Sequence, residues 1–194
     1  CNIVFAPDVA TMYPEPDTRR FDFGSLETVM EGAFRPGHFN GVAQIVSKLF
    51  MIVEPDKAFF GQKDFQQFAI IKAMTKQLEL PIEVSSCPII REKSGLSMSS
   101  RNQRLNAEQL EAASNIYKSL LWAKDNVATL SPAELKEATT KQINENTILK
   151  VEYVEISDAD TLQPVQTWEE SNNIVMCVAV FCGDVRLIDN IILL

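Results

Sequence analysis

Short apolar runs alternate with amphipathic stretches along the first part of the chain. Three of these runs have the length and composition of buried strands, over 2–6, 57–60 and 82–86. The spacing of apolar residues predicts helices over 25–32, 40–53 and 64–79. The order of strand, helix and strand between 57 and 86 predicts a parallel sheet built from crossover units.

Beyond residue 88 the pattern predicts longer helices with clear starts. A loop rich in glycine and serine leads to Asn106, which has Gln109 at the capping-box position of a helix that ends near residue 126. The run Ser131-Pro132-Ala133-Glu134 combines a cap, a proline at the first helical position and a box glutamate. It therefore predicts the start of a further helix.

The last part of the chain alternates in the manner of strands. The predicted strands cover 151–157, 174–182 and 185–193. Gly183-Asp184 lies between the last two and predicts the tight turn of an antiparallel hairpin. The first part of the chain is thus predicted to be α/β and the second α+β, with the join near residues 87–93.

Composition adds limits on partners. With 194 residues and 46% hydrophobic content, the chain is large enough to bury one large core or two small ones. A net charge of -8 argues against nucleic acid, whose backbone attracts a surplus of Lys and Arg. A few local cations can still form a pocket for a small anion on an acidic body. No apolar run approaches the roughly 18 residues of a membrane span, so no membrane partner is expected.

The four cysteines show no metal-type spacing. Cys177 and Cys182 are an odd number of residues apart in a predicted strand, so they should face opposite sides of it and stay unbonded. Free thiols predict a reducing compartment, the cytoplasm. The chain also begins with Cys1 in place of a methionine, which predicts a piece cut from a longer protein.

The segment 59–67, FFGQKDFQQ, places polar groups at the end of a predicted strand. Ligands of open parallel sheets bind there, beside helix N-termini whose amides favour anions. Gly61 permits close approach of a backbone, Lys63 offers a charge to a phosphate oxygen, and Asp64 can cap the helix or accept from a ribose hydroxyl. The alternative is an ordinary turn in which Asp64 is only a cap and Lys63 is only solvated.

The segment 94–102, SGLSMSSRN, offers several hydroxyl donors and one planar cation. This set suits a clamp on a polyphosphate, and its glycine and serines suit a loop that closes. A plain interdomain linker is the alternative, since serine and glycine equally suit one. His38, the only histidine, can act as a general base, but a lone histidine before a helix is more often a cap or a packing residue.

Four segments in this order closely resemble the pantoate–β-alanine ligase (pantothenate synthetase) family. They are RPGHFNGVAQIVSKLF, FFGQKDFQQ, LPIEV and SGLSMSSRN. The resemblance covers essentially the whole chain. It implies a Rossmann-like nucleotidyltransferase domain, of which residues 1–88 would be the C-terminal part, followed by a smaller α+β lid domain over 89–194. It also implies a cytoplasmic homodimer.

The resemblance implies ATP-dependent condensation of pantoate and β-alanine through a pantoyl adenylate, with Mg²⁺ carried by the phosphates. Gln67 would bind pantoate, and Gln62 stands where the family is expected to have glutamate. The residues implied to contact ATP are Gly61, Gln62, Lys63, Asp64, Ile90, Met98, Ser99, Ser100 and Arg101. Of these, the ones implied to act in catalysis are Lys63, Ser99, Ser100 and Arg101.

One departure from the family concerns the paired-histidine motif, His-x-Gly-His. That motif, a second pantoate-binding glutamine and the first Rossmann strands are expected upstream of anything in this sequence. We therefore expect an incomplete active site. Two alternatives remain: another adenylyltransferase of the same superfold, or a catalytically silent folded or dimerisation fragment.

Overall fold

The computed structural model describes residues 1–194 and contains two sheets, one parallel and one antiparallel. The helices are α1 (Val9–Met12), α2 (Met30–Phe34), α3 (His38–Val53), α4 (Phe65–Gln77), α5 (Ala107–Asp125) and α6 (Pro132–Asn144). The strands are β1 (Lys57–Gly61), β2 (Glu83–Cys87), β3 (Leu149–Asp158), β4 (Ile174–Cys182) and β5 (Val185–Ile192).

The first part of the chain has the predicted crossover unit. Strands β1 and β2 pair in parallel, with Lys57 opposite Glu83 and Gly61 opposite Cys87. Helix α4 connects them and packs against α3. The core between these helices and the sheet is formed by seven buried side chains, among them Phe39, Phe50 and Ile70. This arrangement places the end of β1 and the start of α4 at one edge of the sheet.

The second part is an antiparallel sheet, in the order β3-β4-β5, covered by α5 and α6. Both predicted capping boxes are present, because Asn106 and Gln109 exchange bonds at the start of α5 and Ser131 and Glu134 do so at α6. The predicted hairpin is also confirmed, and Gly183 adopts the left-handed φ of 57° that its turn requires. The sequence signals for caps and turns were therefore reliable here.

The central strand β4 is buried on both faces. On one face, Ile174, Met176 and Val178 join the main core beneath α5 and α6. On the other face, Val175 and Cys177 pack with Met30 of α2. The first part of the chain therefore covers the back of the second part's sheet, and β5 lies where the two parts meet.

Two local predictions were wrong. Residues 2–6 form no strand, because no neighbouring strand pairs with them, and Ile3 and Val4 are 84% and 81% exposed. The helix predicted over 25–32 is divided into a 3₁₀ turn, Gly24–Glu27, and α2. The positive φ of 43° at Met30 separates the two pieces.

All four cysteines are free, as predicted. Cys177 and Cys182 lie in different core clusters on opposite faces of β4. None of the helices combines the length and the apolar character that crossing a bilayer would require.

Candidate active site

The turn from β1 to α4 forms one wall of a cleft between the two parts of the chain. Its backbone is well anchored, since Gln62 N donates to Cys87 O at 2.8 Å and Asp64 N donates to Gly61 O at 3.3 Å. The turn follows the carboxyl end of a parallel strand and precedes a helix of 13 residues. This is the position at which open α/β sheets bind ligands.

The two charged side chains of this turn are free. Lys63 and Asp64 both line the cleft, and neither makes a salt bridge within 4.0 Å. Asp64 occupies the N-cap position of α4, yet its carboxylate makes no capping bond. A Cβ atom placed on Gly61 would meet nothing within 4 Å, so the space above this glycine is open. A cation and a carboxylate without salt bridges therefore line the cleft, next in sequence to a glycine with open space beside it.

The two glutamines of the first turn of α4 have different surroundings. Gln66 is buried, and its Nε2 donates to Leu26 O at 2.7 Å and to Val29 O at 2.9 Å. It therefore fixes the segment before α2, while its Oε1 has no partner. Gln67 lines the cleft. The structure thus puts the predicted pantoate-binding glutamine beside Lys63.

A buried ion-pair network closes the opposite wall. Arg186 of β5 donates to both carboxylate oxygens of Glu31, at 2.6 and 3.0 Å, and to Glu152 at 2.6 and 2.9 Å. Tyr153 Oη donates to Glu31 at 2.9 Å. Burial raises the pKa of Glu31, but the hydrogen bond and charge of Arg186 outweigh it and hold that pKa below its usual value. Glu31 is therefore ionised at neutral pH.

His38 begins α3 and lines the same cleft. Burial and the neighbouring charge of Arg35 lower its pKa, although the carboxylates of Glu31 and Asp64 act in the opposite direction. At neutral pH its imidazole is therefore uncharged. Packing was the preferred interpretation of this histidine from sequence, whereas the structure brings it to within the lining of the candidate site.

The sequence analysis missed two residues of β5, of which Asn190 holds the β1–α4 turn and Asp189 holds Arg91. Asn190 Nδ2 donates to Gln62 O at 2.9 Å and to Lys63 O at 3.0 Å, and Asn190 Oδ1 accepts from Gln62 Nε2 at 3.2 Å. Asp189 accepts from Arg91 at 2.6 and 3.0 Å. The available signal was the polar pair Asp189-Asn190 between the apolar pairs 187–188 and 191–192.

The predicted phosphate loop is attached to the outer edge of β5. Ser97 Oγ donates to Ile188 O at 3.3 Å, Arg101 Nη1 donates to Arg186 O at 3.2 Å, and Arg91 Nη2 donates to Asn190 O at 3.5 Å. Three alternate carbonyls of an edge strand are therefore covered by this segment. Ser99 caps the 3₁₀ turn Ser100–Arg104 by accepting from Arg101 N at 3.2 Å.

The two predicted motifs share β5 but do not line one continuous cleft. The loop side chains are absent from the lining around Lys63, and Ile90 and Met98 project into solvent, with 67% and 51% exposed. The attachment points at Arg186 and Asn190 are four residues apart, about 13 Å along the strand. The structure therefore does not bring the two motifs to a common pocket around Lys63.

Comparison with known proteins identifies relatives over the whole chain. A family model described as pantoate-beta-alanine ligase matches residues 1–192. The pantothenate synthetase of Bacteroides thetaiotaomicron is 54% identical over 187 residues, which is 96% of this chain and 66% of the relative. That of Porphyromonas gingivalis is 53% identical over 195 residues, covering 98% of this chain and 68% of the relative. The chain thus spans about two thirds of the length of these curated relatives.

Solved structures give the same result. The crystal structure of pantothenate synthetase from Thermus thermophilus superposes with a TM-score of 0.92 at 38% identity, covering 98% of this chain and 69% of that one. A pantoate-beta-alanine ligase from Francisella tularensis, described as complexed with beta-gamma ATP and beta-alanine, gives a TM-score of 0.73 at 32% identity. It covers 94% of this chain and 61% of that one. The fold is that of this group of enzymes.

Proposed function

The chain belongs to the pantoate–β-alanine ligase family, and from this premise we propose that, within its natural polypeptide, it catalyses the ATP-dependent condensation of pantoate with β-alanine. The products are pantothenate, AMP and pyrophosphate. One observation carries the proposal for this site. The Lys63 ammonium, free of any salt bridge, lies at the carboxyl end of β1 beside the open backbone of Gly61.

The first step joins two anions. A carboxylate oxygen of pantoate attacks the α-phosphorus of ATP, the bond from that phosphorus to the bridging oxygen breaks, and pyrophosphate leaves with the electron pair. Because both reactants are negative, the protein must offset their repulsion and hold the groups in line. Lys63 supplies the nearest free cation of the cleft, and Gln67 offers an amide to the hydroxyl and carboxyl groups of pantoate.

The loop on β5 would complete the phosphate contacts. Arg101 uses one guanidinium nitrogen on Arg186 O, which leaves its other N–H groups available to phosphate oxygens. Ser100 is exposed beside it, and the Ser99 hydroxyl retains its own hydrogen for donation because it acts as an acceptor in the cap. Ile90 and Met98 offer exposed apolar surface to the nucleotide.

Mg²⁺ fits this site as an ion held mainly by the phosphates. No cluster of three or more His, Cys, Asp or Glu side chains is placed to hold a metal. Mg²⁺ keeps several waters and commonly uses only one or two carboxylates beside substrate phosphates. The free carboxylate of Asp64 would serve as that ligand, and the ion would neutralise phosphate charge.

The second step forms the amide. The neutral amine of β-alanine attacks the activated carbonyl carbon of the adenylate, the carbon–oxygen bond to AMP breaks, and the amine loses a proton. No covalent bond to the enzyme is needed, in keeping with the lack of an activated nucleophile in the cleft: the nearest thiol, Cys177, is buried, and its pKa is raised by that burial.

The experiment that tests this function is pantoate-dependent exchange of pyrophosphate into ATP, measured in the full natural polypeptide. The Lys63→Ala variant is expected to lose on the order of 100-fold in this rate, as for the loss of one donor to a developing charge. Lys72→Ala, which removes an exposed lysine of α4, is the control and should exchange normally. Unchanged exchange in Lys63→Ala would contradict the proposal.

The same assay separates the alternatives. Exchange that depends on another carboxylic acid indicates a different adenylyltransferase of this superfold. Absence of both exchange and ATP binding, with an intact fold, indicates a silent structural module.

We also propose that the protein acts as a cytoplasmic homodimer. The four free thiols support a reducing compartment. Apolar side chains at the end of α3 support self-association, since Met51, Ile52 and Val53 are each at least half exposed. Sedimentation of the natural polypeptide tests the dimer directly.

A further inference from the structure

Asn190 connects the second part of the chain to the candidate phosphate-binding turn. It is 2% exposed, and its side-chain amide makes three bonds to Gln62 and Lys63, two of them to consecutive backbone carbonyls. Burying a side-chain amide is costly unless its groups are paired. Here every bond of the side chain is made to the turn and none to the neighbouring strand of its own sheet.

The buried side chain of Asp189, itself held by Arg91, fixes the backbone of Asn190. Asp189 is 3% exposed and accepts from Asn190 N at 2.8 Å and from Arg91 through two bonds. The Arg91 guanidinium lies 3.6 Å from the centre of the Tyr117 ring, and its Nη1 also donates to Gly95 O at 3.1 Å. A continuous series of contacts therefore runs from the predicted phosphate loop, residues 94–102, through Arg91 and Asp189 to Asn190.

We propose that Asn190 is a positioning residue for adenylate formation. By holding the carbonyls of Gln62 and Lys63, it fixes the direction in which the Lys63 side chain leaves the turn, and it does so only while β5 is docked against the end of β1. Asn190 thereby sets the geometry of the phosphate site without itself touching ATP. This inference rests on the proposed function.

The two half-reactions give the sharpest test, because only the first uses the triphosphate. In the full natural polypeptide, Asn190→Ala is expected to slow pantoate-dependent ATP–pyrophosphate exchange about 10²-fold, the cost of a small misplacement of a reacting group. Formation of pantothenate from supplied pantoyl adenylate and β-alanine should stay close to the unsubstituted rate.

Asn190→Asp is the isosteric second variant. It keeps the acceptor for Gln62 Nε2 but turns an oxygen toward two carbonyls, so exchange should fall at least as far as in Asn190→Ala. Asn126→Ala is the matched control: it removes another side-chain amide bond of the second part, the 2.8 Å bond to Trp122 O, far from the turn. Exchange in this control should be normal.

The outcomes separate this inference from the function on which it rests. Normal exchange in Asn190→Asp, together with loss in Lys63→Ala, overturns the positioning role alone. Equal loss of both half-reactions in Asn190→Asp also overturns it, since the residue would then only hold the fold together. Absence of pantoate-dependent exchange in the unsubstituted natural polypeptide overturns the proposed function itself.

Discussion

At the scale of single residues, the charged side chains of the β1–α4 turn make no salt bridges, because backbone hydrogen bonds stabilise the turn. The amide of Gln62 is satisfied by Cys87 O, and that of Asp64 by Gly61 O. The carboxylate of Asp64 makes no capping bond to α4, although its position in the sequence predicted one. Residue types and their spacing predicted where this turn lies, but they could not predict which side chains it leaves unpaired.

The bonds of Asn190 were beyond prediction for a related reason. The sequence of a strand indicates which of its residues are buried, but it does not indicate their hydrogen-bond partners. The partner of Asn190, Gln62, lies 128 positions away in the chain. The position of His38 could not be predicted for the same reason, since the cleft that it lines is built from four segments distant in the sequence. Long-range contacts of this kind leave no local periodicity.

The titration of His38 tests the cleft at this scale. It is the only histidine of these 194 residues, so the chain gives a single imidazole signal in NMR spectra, and we expect its pKa to lie below the ordinary value of 6.5 because burial and Arg35 disfavour the charged ring. Adding pyrophosphate should raise that pKa, since a nearby anion favours the imidazolium. The unfolded chain in concentrated urea serves as the reference. A pKa in the folded chain that matches this reference would contradict the described surroundings.

At the scale of elements, predictions succeeded where the signal was local. The capping boxes of α5 and α6 and the turn of the β4–β5 hairpin need only a few neighbouring residues, and all three are present. The strand over 2–6 failed because strand formation depends on a partner, which an apolar run alone does not specify. The interruption at Met30 likewise depends on how α2 packs beneath β4.

Gly95 has a packing role that differs from the mobility expected of it. Its φ is +91°, and a Cβ at this position would lie 2.7 Å from Cδ1 of Tyr117. We expect Gly95→Ala to lower the free energy of unfolding by about 1–3 kcal/mol, through backbone strain and displacement of the ring that Arg91 stacks on. Urea denaturation measures this change.

Gly41→Ala is the matched control for that variant. Gly41 lies inside α3, and a Cβ there meets nothing within 4 Å. It should raise the free energy of unfolding by about 0.5–1 kcal/mol, because alanine is the better helix former. Equal effects of the two substitutions would argue against the described packing of Gly95.

At the scale of the whole molecule, the sequence predicted two layered parts, and the structure has a parallel and an antiparallel sheet with separate main cores. The boundary between residues 88 and 89 stays a proposal. What the sequence could not predict is the way the parts join. The reverse face of β4 packs on α2, and Arg186 links Glu31 of α2 to Glu152 of β3.

That junction predicts a dependence of stability on pH. The folded pKa of Glu31 lies below its ordinary value of 4.5, so its contribution to stability is complete above that value and is lost as the pH falls through the folded pKa. At neutral pH, Glu31→Gln should lower the free energy of unfolding by about 3 kcal/mol, since it leaves part of the Arg186 charge unpaired in a buried place.

Urea denaturation at neutral and acidic pH measures this difference. The difference in the free energy of unfolding between Glu31→Gln and the unsubstituted chain should become smaller as the pH falls. Protonation of Glu31 in the unsubstituted chain removes the same charge that the substitution removes. Glu137→Gln, on the exposed face of α6, is the control and should cost little at either pH. If this difference in the free energy of unfolding did not change with pH, the Glu31–Arg186 ion pair would not be what joins the two parts of the chain.

The loop that covers the outer edge of β5 also bears on whether the protein aggregates. Movement of the segment around Ser97 and Arg101 away from β5 would uncover the carbonyls of Arg186 and Ile188. An exposed strand edge can form β-sheet hydrogen bonds with a second copy of the chain. We therefore expect ligands that hold this segment against β5 to reduce association between copies of the chain. Turbidity on storage should accordingly be lowest in solutions kept supplied with ATP and pantoate.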